Sequence, residues 1–81
     1  MNPTEVRQLL DDLCVHLGFC LPPLAKSQLE EMPPDDPDAF ARAVFTAEGL
    51  NPDWVDRHLF RQVRNRIAEA MRRSAIKAEG A

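Results

Sequence analysis

The chain has no tyrosine, only three glycines and only two cysteines among its 81 residues. Each shortage excludes something. Scarce glycine argues against a turn-rich β fold and leaves no glycine-rich loop to cradle a phosphate. The β-branched residues are few and dispersed, and no alternating run reaches five, so no strand is expected. Ser27 and Ser74 are the only serines, and neither lies in a nucleophile setting. No His-Glu helical metal motif is present, and a chain this short is expected to lack room for a deep pocket. These gaps make a non-enzymatic protein the expected reading, with no cofactor.

Long apolar runs are missing as well. The most apolar stretch, Leu13 to Ala25, is broken by His16 and the Pro22-Pro23 pair, so no membrane span is expected. The N-terminus has no basic region and carries Asp11 and Asp12 where a secretory signal is apolar. A cytoplasmic location follows as the expectation. Cys14 and Cys20 then read as reduced core filler, with a disulfide closing a short loop as the alternative. Cys14, His16, Cys20 and His58 supply the four ligands that zinc takes. The spacing opposes that use: on a helix, His16 points about 160° away from Cys14. A surface ion pair of His16 with Asp12, four residues earlier, is a sufficient role, and no metal site is expected.

What the sequence has is helical periodicity punctuated by seven prolines. Val6, Leu9, Leu10, Leu13, Cys14 and Leu17 form one stripe on a helix spanning about 3–17. Asn2, Pro3 and Glu5 make a capping box, Met1 and Val6 are placed for a hydrophobic staple, and Gly18 ends the helix. A second helix at about 23–32 is expected to turn Leu24, Leu29 and Met32 inward before Pro33-Pro34 stops it. A third, at about 37–48, starts from Asp36 and Pro37, with Phe40, Ala43, Val44 and Ala47 as its stripe. Phe45 lies off that stripe, at the position that touches Leu50 in a Schellman cap. The fourth is expected at about 52–78, entered through Asn51, Pro52 and a Leu50–Val55 staple. Val55, Leu59, Phe60, Val63, Ile67, Ala70 and Met71 keep helical spacing along it. The fold class is therefore all-α: one domain over 1–81, a compact bundle of three to four helices with a long C-terminal helix. Leu10, Leu13, Val44, Leu59 and Val63 are expected in its core.

Charge is divided along the chain. Residues 1–56 hold three basic and eleven acidic side chains, a net of −8, whereas residues 57–81 hold seven basic and two acidic, a net of +5. An arginine-rich helix suggests nucleic-acid contact. It is equally an exposed helix whose field is answered by the acidic half of the same molecule, and the overall charge of −3 favours that simpler role. The Met-Pro-Pro-Asp-Asp-Pro-Asp segment lacks Ca²⁺-loop spacing and reads as a stiff linker ending in a helix cap.

Trp54 projects opposite the apolar stripe of the fourth helix, on the side of His58, Arg61, Asn65 and Arg72. Aromatic residues with arginine are typical of interface hot spots, and Trp54 folding over the core is the competing placement. Near the end of the chain, Ile67, Ala70, Met71, Ser74 and Ala78 continue the stripe. A helix of about 40 Å overhangs a domain whose radius of gyration is ~12 Å, so this segment is expected to pair with a second copy, as a homodimer, or with a partner's groove. The expected function is a small protein–protein interaction module of adaptor, inhibitor or immunity type, presenting its C-terminal helix. Its partner-binding set is Trp54, His58, Arg61, Asn65, Ile67, Met71 and Arg72. The alternative is a nucleic-acid binder using the same arginines.

Overall fold

Asn2 opens the first helix as its sequence requires. In a computed structural model of the chain, Asn2 Oδ1 accepts from the Glu5 N–H at 2.8 Å and Glu5 Oε1 accepts from the Asn2 N–H at 3.1 Å. Two of the amide groups left orphaned at a helix start are thereby satisfied. The structure describes the backbone of residues 1–80 and the side chains of residues 1–75. Within it run α1 (Pro3–Leu17), α2 (Pro23–Glu31), α3 (Pro37–Ala47) and α4 (Arg57–Gly80), with no strand among the described residues. α4 packs against both α1 and α3, and α2 packs on α1. The Cα radius of gyration is 12.1 Å and the longest dimension 40 Å, close to the length of α4.

The core is made by Val6, Leu9, Leu10 and Leu13 of α1, Phe40, Ala41, Val44 and Phe45 of α3, and Val63 and Ile67 of α4. Phe19 and Leu21, in the strap between α1 and α2, complete it together with Leu29. Gly18 starts this strap with φ at 79°, a left-handed backbone that residues with a Cβ rarely adopt.

Several sequence expectations are corrected here. Cys14 and Cys20 are not buried thiols: Cys14 is half-buried, Cys20 is exposed, and the two form a disulfide. The glycine turn at 18 folds the strap back on α1 and leaves their Cα atoms 4.3 Å apart. By chain-entropy reasoning, closing so short a loop stabilises the fold by about 2 kcal/mol. Leu24 and Met32 do not face inward, being 72% and 82% exposed. Leu24 and Leu29 are five residues apart, hence about 140° around the helix, and cannot share a face. Met32 falls outside α2, which ends at Glu31. Phe45 is fully buried, because α3 is covered on two sides. Its ring stacks on Phe60 at 5.6 Å and meets Phe19 edge-on at 5.1 Å. The Schellman cap at Gly49 nevertheless forms, with the Leu50 N–H donating to Phe45 O at 2.9 Å. Leu59 is half-buried rather than buried.

The fourth helix begins at Arg57, five residues later than Pro52. Asn51 caps a turn instead: its Oδ1 accepts from the Asp53 N–H at 3.0 Å and its carbonyl from the Trp54 N–H at 2.9 Å. Asp56 caps the helix, its Oδ1 accepting from the N–H groups of His58 at 2.7 Å and Leu59 at 3.3 Å. Asn51-Pro52 resembles the α1 entry but has Trp54 where α1 has Glu5, so the reciprocal half of a capping box cannot form. Leu50 is 44% exposed and Val55 half-buried.

Candidate functional site

The late start of α4 leaves residues 51–56 as a turn lying against α3, and between this turn, α3 and α4 lies an open cleft of about 540 Å³. A second open cleft, of about 440 Å³, separates α1 from α4. Both are open surface clefts and not deep, enclosed pockets.

The two clefts differ in charge. In the α1–α4 cleft, Arg66 Nη1 binds Asp12 Oδ2 at 2.7 Å and Arg73 Nη2 binds Glu69 Oε1 at 3.1 Å, so both of its arginines are answered within its own lining. The α3–α4 cleft is lined by Arg42, Arg57, Arg61 and Arg64 against a single acid, Asp53. Arg42 Nη2 binds Asp53 Oδ1 at 2.8 Å, and Arg64 Nε is hydrogen-bonded to Asp38 of α3. Arg57 and Arg61 are exposed and have no ion-pair partner among the described residues. Val55 and Phe60 give the cleft an apolar floor, and both also pack against the core.

Trp54 sits in the turn that borders this cleft, 85% exposed, with Asp53 and Val55 on either side of it in the lining. Neither a core partner nor a ring contact holds it, whereas Phe19, Phe45 and Phe60 contact one another through their rings. It precedes α4 instead of standing on it. Arg61 and Asn65 line the cleft, and Asn65 also lines the α1–α4 cleft. His58 is exposed in the first turn of α4, and Arg72 is exposed near the far end. Ile67 does not belong with them: it is fully buried. Met71 is half-buried against the core. The apolar stripe therefore has internal cover as far as Met71, and the Ala78 side chain lies outside the described residues.

Arg42, Arg57, Arg64 and Phe60 were not in the sequence-derived set. Arg57 and Arg61 are four residues apart, a helical spacing visible in the sequence once the helix start is known. Arg42 and Phe60 reach the cleft only through the packing of α3 on α4.

Elsewhere, His16 Nε2 lies 3.3 Å from Asp12 Oδ1, as its spacing suggested. The acidic half of the chain answers part of the basic helix through Asp12–Arg66 and Asp38–Arg64. The Glu30 carboxylate, by hydrogen bond and charge, holds the exposed Arg7 guanidinium above its ordinary range. Among the described residues no three His, Cys, Asp or Glu side chains converge as metal ligands, and no helix is long and apolar enough to cross a membrane. Compared with protein-family models, curated proteins and solved structures, the chain matches none.

Proposed function

We propose that this protein is a non-enzymatic protein–protein interaction module whose working surface is Trp54 together with the arginine edge of α4. The observation that carries the reading is Trp54. A tryptophan left 85% exposed beside a cleft with unpaired arginines has no structural role to account for it. Burying an indole contributes strongly to association, and Trp and Arg are both among the residues enriched at energetic centres of interfaces. Arg61, Asn65 and His58 extend that surface. Arg72 stands more than two turns beyond Arg61 and marks its far limit.

The partner is another protein. Pairing through the C-terminal stripe with a second copy loses its main support, since Ile67 is buried within the molecule itself and Met71 packs against the core. Nucleic acid is the competing class, because Arg57, Arg61 and Arg72 are exposed cations. The compartment bears on the state of the protein: cytoplasmic reductants keep thiols open, while the Cys14–Cys20 bond persists where conditions oxidise.

The test is the double substitution Trp54→Ala with Arg61→Ala. It is expected to abolish capture of the protein partner from a host extract while circular dichroism and melting temperature stay near those of the parent. Capture that survives the double substitution overturns the reading. So does binding to generic duplex or single-stranded DNA that falls steeply with salt and is lost in the same variant, because that behaviour belongs to a phosphate binder.

A further inference from the structure

The α3–α4 cleft restricts what can fill it. Arg42 and Arg64 are held in place by Asp53 and Asp38, so two guanidinium groups of the lining are positioned in advance. Arg57 and Arg61 stand one turn apart at the mouth of the same cleft, without an acid to neutralise them among the described residues. Side chains at i and i+4 are neighbours on a helix, and like charges there repel. An anion lying between the two removes that repulsion and accepts N–H groups from both. A carboxylate suits a guanidinium especially well, since two parallel N–H···O bonds form at once. Beneath the arginines, Val55 and Phe60 offer apolar surface that a purely ionic ligand would leave uncovered.

From this we infer that the cleft receives a short acidic peptide segment of the partner, its carboxylates on Arg57 and Arg61 and one apolar side chain over Val55 and Phe60. The inference rests on the protein-interaction reading and names the partner's chemistry. Charge complementarity selects the occupant, and the surroundings favour a peptide over a nucleic-acid strand. Asp53 lines the cleft, and Asp38 and Asp56 lie bonded or adjacent to its arginines, so evenly spaced phosphates would meet acids as well as bases. The net charge of −3 also repels a long polyanion at a distance. A peptide places its few charges where the arginines are and presents a side chain to the floor.

Calorimetric titration of the full chain tests this, with emission from Trp54, the sole tryptophan, reporting events beside the cleft. The probe is a pool of short, end-blocked peptides with the fixed core Asp-Asp-Leu-Asp-Glu. It is compared with the same pool carrying Asn and Gln for the acids, and with oligothymidylate of similar length. The acidic pool is expected to bind about tenfold or more tightly than either comparison. Replacing Arg57 and Arg61 together by Gln removes that preference, whereas Arg7→Gln, on α1 and outside the cleft, leaves it intact. Replacing both by Glu transfers the preference to a pool with Lys at the acidic positions, which a variant that merely misfolds cannot do. Equal binding of the acidic and amide pools overturns the inference and leaves the interaction reading standing. Absence of binding by every pool does the same, and the Trp54/Arg61 capture experiment then decides the wider reading alone. Tighter binding of oligothymidylate overturns both.

Discussion

Single residues carry the clearest division of labour in this molecule, and the aromatic side chains show it best. Phe19, Phe45 and Phe60 form a continuous set of ring contacts, while Trp54 stands outside it. Phe45 is the middle member and fully buried, so Phe45→Ala removes two ring contacts and leaves a cavity. The expected loss is about 3–5 kcal/mol in urea denaturation, a large share of the stability available to a chain of this length. A loss below about 1 kcal/mol would show that the ring is not held as described. The importance of Phe45 was hidden in the sequence. Helical periodicity around Phe40 and Val44 marks one face, and a helix buried over a wider arc keeps apolar residues beyond that face. Ile67 shows the same limit in reverse. Its place on the stripe was legible, but whether another helix covered it depends on how far α1 runs beside α4.

At the scale of elements, α1, α2 and α3 were legible almost to the residue, because each is bounded by proline at its first turn and by glycine or proline beyond its last. The start of α4 was not. Asn51-Pro52 and Asp56 both offer a cap before an apolar run, and neither has a Glu or Gln three residues on to complete a capping box, so the sequence does not choose between them. Glu5 reciprocates for Asn2, and Trp54 cannot do so for Asn51. Asp56→Ala is expected to cost about 1 kcal/mol through loss of its bonds to the His58 and Leu59 N–H groups, with Asn51→Ala costing clearly less. Equilibrium unfolding of the two variants side by side checks this. A larger loss from Asn51→Ala would move the helix start back to Pro52. The consequence for the site is direct: a helix starting at Pro52 would carry Trp54 on its own surface, whereas the observed turn borders a cleft.

For the whole molecule, charge is arranged in two layers of use. Arg7–Glu30, Lys26–Asp11, Arg66–Asp12 and Arg64–Asp38 connect neighbouring helices and partly answer the basic helix with the acidic half of the chain. Exposed pairs of this kind contribute little individually, so they orient surfaces more than they hold the fold. The division of charge was plain in the sequence; which arginines would remain unpaired was not, because it depends on which acids the packing brings within reach. Among the described residues Arg57, Arg61 and Arg72 remain without an ion-pair partner, the first two in the turns of α4 that follow Trp54, and the proposed function depends on that edge being open to solvent. Quenching of the single tryptophan by acrylamide, a neutral probe, tests this most directly. Trp54 is expected to be quenched nearly as fast as free N-acetyl-tryptophanamide, with Trp54→Ala leaving the melting temperature almost unchanged. A strongly protected indole, or a large fall in melting temperature, would return Trp54 to the core and remove the proposed surface.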